Sequence, residues 1–169
     1  MEIIENEFVL KPMSENDVII FCKWLDKGYI YKWFCPNGEA EREAWLNEVN
    51  NNNGKYDHLK HFIVYCGDTK IGYCFYMDIF FEQEYLQKIY GIKVDEQNTA
   101  YAIGFMIGEE EYLNKGIGKI IVKKMEEKII EINGKEIFAD TDPSNLSSIK
   151  TLLGNGFVKI KEGAYRKKL

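Results

Sequence analysis

The sequence predicts an α/β (α+β) fold, with a mixed central sheet of about six to seven strands flanked by about four helices. Three observations carry this expectation. Apolar runs at His61–Cys66 and Lys70–Ile79 lie on either side of Gly67-Asp68, as the two arms of a hairpin do. Ile117, Ile120, Ile121, Met125 and Ile129 recur at intervals of three and four residues, which marks a long helix with one apolar face. Beyond it, Glu136–Ala139, Leu146–Leu153 and Phe157–Lys161 alternate strand, helix and strand, an order that implies at least one parallel pair.

Taken in order, Ile3–Leu10 reads as a strand that stops at Lys11-Pro12. Ser14 stands three residues before Asp17, a capping-box spacing, and Val18, Ile19, Phe21, Cys22, Trp24 and Leu25 follow at helical intervals. Trp33–Gly38 reads as a loop and Glu39–Val49 as a second helix carrying Ala44, Trp45 and Leu46. Asn50–Gly54 is too polar to build a core and reads as a loop. After the hairpin, Phe80–Gln97 has no clear period and reads as an irregular connection. Thr99–Ile107 is apolar throughout, as a central strand is. Gly134 suits the end of the long helix. Asp142-Pro143 suits the N-cap and first position of the next helix, and Gly154 or Gly156 its end. Phe157–Lys161 and Ala164–Lys168 close the chain as two strands. With no Pro-, Gly- or Ser-rich linker, residues 1–169 are expected to form one domain.

Composition narrows the function. The 169 residues hold 22 Lys+Arg against 27 Asp+Glu, a formal charge of −5, with 46% hydrophobic and 29% charged residues. That is the profile of a globular protein, not of a disordered or fibrous one. The acidic balance argues against nucleic acid and suits a neutral or cationic small molecule. No run approaches a membrane helix, and the acidic start is unlike a signal peptide, so no membrane association and a cytoplasmic location are expected. Cys22, Cys35, Cys66 and Cys74 have no CxxC spacing, and His58 and His61 have no metal-pair spacing, so no metal is expected. Trp24 and Trp45 fit helical faces and read as core residues.

The stretch that carries chemistry is Ile103-Gly104-Phe105-Met106-Ile107-Gly108, then the acidic Glu109-Glu110-Glu111, then Asn114-Lys115-Gly116-Ile117-Gly118-Lys119. A strand ends and a Gly-x-Gly turn opens a long helix. Free N–H groups at a helix N-terminus attract anions, and glycine lets a phosphate come close to the backbone. The spacing is neither a dinucleotide fingerprint, since Ile121 stands where a third glycine would be, nor a Walker A loop. Like charge predicts that Glu109–Glu111 point away from any phosphate bound there. Asp140 and Asp142 follow a sheet strand, where α/β proteins gather ligands. Asp142 is accounted for as an N-cap; Asp140 has no such role and is a candidate for acceptor binding and, more weakly, for catalysis.

Along its whole length the chain resembles the GNAT superfamily of acetyltransferases, and within it the aminoglycoside 6′-N-acetyltransferases. The resemblance rests on Leu10-Lys11-Pro12-Met13-Ser14, Trp24-Leu25-Asp26, Ile30 to Phe34, Ile71-Gly72-Tyr73, Leu113 to Gly118, and Asp140 to Asn145 with Gly156-Phe157. Gly116 and Gly118 fill the glycine places of the superfamily's Arg/Gln-x-x-Gly-x-Gly/Ala motif, with Leu113 in place of the Arg/Gln. Two more places differ: Leu152 stands where the family's general-acid tyrosine is found, and Gly104 where the drug-modifying members carry a proposed base aspartate.

The resemblance implies a GNAT fold and acetyl-CoA as co-substrate. It implies that Phe105, Met106 and Ile107 pair with the pantetheine arm, an N–H of Met106 or Ile107 polarising the thioester. It implies that Asn114, Lys115, Gly116, Ile117, Gly118 and Lys119 hold the pyrophosphate and that Asn145 lies near the sulfur. Trp33, Asp78, Glu82 and Asp140 are the expected acceptor-binding residues, with Phe34 beside Trp33 and Glu84 beside Glu82. The implied reaction is acetyl transfer to a primary amine of a small polycation such as an aminoglycoside, by a monomer or homodimer. A protein or peptide amine as acceptor, or a domain that binds acyl-CoA without turnover, are the alternatives.

Overall fold

The computed structural model describes residues 2–51 and 53–169; the Asn50–Gly54 loop therefore includes one residue outside the described set. Seven strands form one sheet: β1 Phe8–Pro12, β2 Leu59–Cys66, β3 Thr69–Asp78, β4 Ala100–Ile107, β5 Glu136–Asp140, β6 Val158–Lys161 and β7 Ala164–Lys168. Their spatial order is β1-β2-β3-β4-β5-β7-β6. The β4–β5 pair is parallel and every other pair antiparallel. The helices are α1 Val18–Leu25, α2 Gly28–Phe34, α3 Glu39–Asn50, α4 Gln83–Tyr90, α5 Ile117–Glu131 and α6 Leu146–Gly154.

Among the described residues the helices number six where about four were expected; one addition falls in the stretch read as irregular and the other mostly in residues 28–32, before the expected loop. Helix α2 ends on Trp33-Phe34, the first two residues of the expected loop. Lys27 is extended, ending one helix and starting the next, and α2 buries Ile30 beside Phe21, Trp24 and Leu25. Helix α4 lies inside Phe80–Gln97; it buries Leu86 and Tyr90, and Gly91 closes it in the left-handed conformation at φ 67°. Strand β1 starts at Phe8 rather than Ile3, because Glu5–Glu7 form a 3-10 turn.

The capping box is present. Ser14 N–H and Oγ both donate to Asp17 Oδ2 at 2.8 Å, and Lys70 Nζ reaches Oδ1 at 2.6 Å, fastening α1 to β3. Burial alone would raise the Asp17 pKa, but these donors hold it below the usual carboxylate range. Arg42 clasps both carboxylate oxygens of Asp26 at 2.6 and 3.0 Å, which sets α3 against the end of α1.

Core residues cover both faces of the sheet. Ile117, Ile121, Val122, Met125 and Ile129 of α5, with Leu152 of α6, pack against Leu10, Val64, Tyr101, Ile103 and Ile137. The opposite face carries two separate clusters. Helices α1 and α2 cover Ile63, Tyr73 and Met106, whereas Leu86 and Tyr90 of α4 cover Ala100, Ala102 and Phe138. A cleft runs between these two clusters.

Candidate active site

Strands β4 and β5 pair over three residues only, Ala100↔Glu136, Tyr101↔Ile137 and Ala102↔Phe138. Strand β4 continues to Ile107 and β5 to Asp140, so the two part in the middle of the sheet. Gly108 N–H donates to Ile71 O at 2.7 Å on the β3 side, and Thr99 O accepts from Lys135 N–H at 2.8 Å on the β5 side. Backbone groups alternate along a strand. Ile103, Phe105 and Ile107 therefore turn N–H and C=O toward the gap, while Met106, opposite Tyr73, turns them toward β3. Of the two N–H groups expected at this point, only that of Ile107 faces the gap. The Met106 side chain is buried under α1 and α2.

Above the gap lies the N-terminus of α5. Asn114 at φ 58° and Gly116 at φ 76° bend the preceding turn through the left-handed region. A Cβ on Gly116 would meet nothing within 4 Å, so the backbone there is open to a ligand, and no side chain caps the helix. Gly118 is glycine for a different reason: its Cβ would stand 3.1 Å from the Phe105 ring and 3.3 Å from Thr151 Oγ1. That packing brings the helix terminus over the strand. Glu109 is drawn away from the turn toward α1, where its Oε1 accepts Trp24 Nε1–H at 2.6 Å and its Oε2 lies 3.7 Å from Lys27 Nζ.

A cleft of about 830 Å³ starts at Ile103, Gly104, Phe105 and Ala139 and opens between α3, α4 and the β6–β7 turn. Its walls carry six carboxylates, Glu41, Glu48, Glu82, Asp140, Asp142 and Glu162, against three lysines. Phe75 lies over Gly104: a Cβ on Gly104 would be 2.8 Å from Cζ of the ring and closer still to Cε1. The Phe75 ring meets Trp45, and Trp45 meets Phe34, at centroid distances of 5.5 and 5.2 Å. Trp45, expected in the core, is thus half-buried on the cleft wall. Trp33 also lines the cleft, with Lys32 Nζ 4.5 Å from its ring centroid.

The carboxylates differ in their surroundings. Asp140 sits at the end of β5, and its Oδ1 accepts hydrogen bonds from the Tyr85 and Tyr90 hydroxyls, the latter at 3.2 Å. Glu82 Oε1 meets His58 Nε2 at 2.6 Å. Glu48 is half-buried, and its pKa is pushed up to about 7, by burial first and by the Glu82 charge second. Asp142 forms an Asx turn with Ser144 N–H at 2.8 Å, which corrects its expected role as N-cap of α6. The cap is Asn145, whose Oδ1 accepts Ser148 N–H at 3.2 Å, and Asn145 also lines the cleft.

Asp78 departs from expectation. It is buried at 4% exposure, and its two oxygens are taken by Phe80 N–H at 3.1 Å and Asn98 N–H at 2.8 Å. It pins the turn that leads into α4 and does not line the cleft. Glu48, Tyr85, Tyr90 and Glu162 were not among the expected site residues. Glu48 is one of four glutamates on α3, and nothing local distinguishes it; Tyr85 and Tyr90 fall in the stretch without a period. Among the described residues no group of three or more His, Cys, Asp or Glu could hold a metal ion, and no helix is long and apolar enough to cross a membrane.

The model of the Acetyltransferase (GNAT) family matches residues 23–157. The chain belongs to the GNAT acetyltransferase family. Solved structures share the fold of this GNAT acetyltransferase at low identity. Aminoglycoside acetyltransferase AAC(6′)-Ib with coenzyme A and kanamycin is 19% identical, with 95% of this chain and 94% of that chain covered and a TM-score of 0.71. The same enzyme with acetyl-CoA and an aminoglycoside is 20% identical, with 95% and 93% covered and a TM-score of 0.68. Aminoglycoside N(6′)-acetyltransferase from Legionella pneumophila is 17% identical, with 100% and 93% covered and a TM-score of 0.72. Within the GNAT frame, this chain carries Gly104 under Phe75 and a buried Leu152 on the cleft wall.

Proposed function

We propose that this GNAT chain, as one domain spanning residues 1–169, transfers the acetyl group of acetyl-CoA to a primary amine of a small polycation, of which an aminoglycoside is the first candidate. The observation that carries the reading is the acidic cleft that opens directly from the β4–β5 gap. A thioester lying in the gap would present its carbonyl at the cleft floor, and six carboxylates would draw a polyamine to it. The first-turn N–H groups of Ile117 and Gly118, with the open backbone at Gly116, suit the pyrophosphate. The backbone of Phe105 and Ile107 suits the amides of the pantetheine arm, and the Ile107 N–H suits the thioester oxygen.

Amine acetylation needs a neutral nitrogen. Glu48, poised near neutral pH, is the carboxylate suited to take the proton from the acceptor ammonium. The neutral amine then attacks the thioester carbonyl; the C–N bond forms, the C–S bond breaks, and the second nitrogen proton passes to the departing sulfur through solvent. Leu152 offers no hydroxyl for that last step.

Thiol release from acetyl-CoA in the presence of kanamycin and of short peptides tests the reading. Release with kanamycin is the expected result. Release with peptides alone would assign a protein or peptide amine as acceptor. Thermal stabilisation by acetyl-CoA with no release on any amine would make the chain a binding domain without turnover.

A further inference from the structure

Tyr85 and Tyr90 stand five residues apart on α4, and both hydroxyls reach the same oxygen of Asp140, fifty or more positions further along the chain. The hydroxyls also lie 3.3 Å from each other. Tyr90 is buried at 4% exposure, with its ring packed edge-on against Phe138 at 5.1 Å. Burial first holds both phenols well above the usual tyrosine range, with the Asp140 charge behind it at Tyr85 and the Tyr85 phenol and Asp140 charge behind it at Tyr90, so both remain protonated donors at any working pH. Among the described residues Oδ2 of Asp140 has no hydrogen-bond partner, and Asp140 is solvent-exposed and lines the cleft.

We propose that Tyr85 and Tyr90 are positioning residues, a pair of phenols that clamps one oxygen of Asp140 so that the other faces the cleft as the anchor for a second, non-reacting ammonium of the acceptor. The clamp deepens the acetyl-transfer reading and rests on it. A carboxylate on a strand end has free rotation about its side-chain bonds; two donors from a rigid helix remove that freedom before the acceptor arrives. The consequence is selectivity for acceptors bearing at least two amines. The reacting amine meets the thioester at the gap, and the second amine meets Asp140 on the β5 side of the cleft.

The test compares wild type with Tyr85→Phe, Tyr90→Phe, the double variant and Asp140→Asn, using kanamycin and the monoamine benzylamine as probes. Binding is read by calorimetry and turnover by thiol release. The double variant and Asp140→Asn are each expected to weaken kanamycin binding roughly tenfold and to raise its KM alike, a larger loss than either shows on benzylamine, with acetyl-CoA affinity unchanged. A loss spread over acetyl-CoA affinity and both amines would mean that the phenols only support α4, and would overturn the clamp. Unchanged kanamycin affinity in either the double variant or Asp140→Asn, or no kanamycin binding by the wild type, would also overturn it. If the wild type binds kanamycin and the variants lose affinity as expected but no thiol is released, the acetyl-transfer reading fails while the clamp stands.

Discussion

The Phe75 ring stands against Gly104, closer than any Cβ at that position would allow. The place where related drug-modifying enzymes are expected to carry an aspartate is filled by an aromatic side chain from the neighbouring strand. Gly104→Asp is therefore expected to destabilise by about 1–3 kcal/mol through overpacking, seen as a lowered melting temperature. Adding Phe75→Ala should return part of that loss, because the ring that the new side chain meets is gone. Equal melting temperatures for wild type and Gly104→Asp would mean that Phe75 moves aside freely.

The two glycines of the α5 turn should respond differently to alanine. At Gly116 space is open but φ is 76°, so the cost is backbone strain of about 1 kcal/mol. At Gly118 φ is ordinary, and the added methyl pushes on the Phe105 ring by a few tenths of an ångström. Gly116→Asp should abolish acetyl-CoA binding by setting a carboxylate at the helix terminus where the pyrophosphate is expected. Calorimetry with acetyl-CoA distinguishes the three variants; unchanged affinity in Gly116→Asp would remove the turn from the site.

Glu48 should give activity a pH dependence centred near its pKa of about 7. Glu82, His58, His61 and Tyr73 are the titratable groups around it. The kcat/KM for an amine acceptor is expected to rise through that value as Glu48 ionises, and Glu48→Gln to lower it by roughly a hundredfold. Stability runs the other way. The pKa lies above that of an unfolded glutamate, so the contribution is full below about pH 4.5 and is lost as pH rises through 7. Glu48→Gln should thus gain on wild type by on the order of 1–3 kcal/mol at pH 8. Denaturation at pH 4 and pH 8 checks the sign.

His61 has the opposite sign. Burial lowers its pKa to about 4, and the neutral ring shares a 2.7 Å hydrogen bond with the fully buried Tyr73 hydroxyl. Its folded pKa is below the unfolded one, so this stabilisation is full above about pH 6.5 and is lost as pH falls through 4. His61→Phe should cost about 1–3 kcal/mol by orphaning that hydroxyl, and His61→Phe with Tyr73→Phe should recover much of it. A double variant no better than the single would show that ring packing, not the hydrogen bond, holds the pair.

The strand–helix–strand second half and the Gly-x-Gly turn were legible because local physics demands those residues. A left-handed backbone at Gly116 and a missing Cβ at Gly118 leave little choice of side chain. Helix α4 was not legible: it is eight residues long and flanked by Phe80, Phe81, Ile92 and Val94, which blur its period. The acceptor side was harder still. Asp140 could be singled out by its position after a strand, but its partners come from a helix some fifty residues earlier. Asp78 and Glu82 are close in sequence and look alike there. Only the fold shows that one is consumed by backbone N–H groups while the other lines the cleft with His58.

The early parting of β4 and β5 has a mechanical consequence. Seven strands joined at their centre by three residue pairs make two smaller sheets sharing a short seam. Amides at the open end of that seam, those of Phe105 and Ile107, should exchange with deuterium sooner than their neighbours facing β3. Anything extended and amide-bearing that settles there supplies the missing rungs, so a bound pantetheine arm would also serve as a splint, stiffening the protein across the line where it is thinnest.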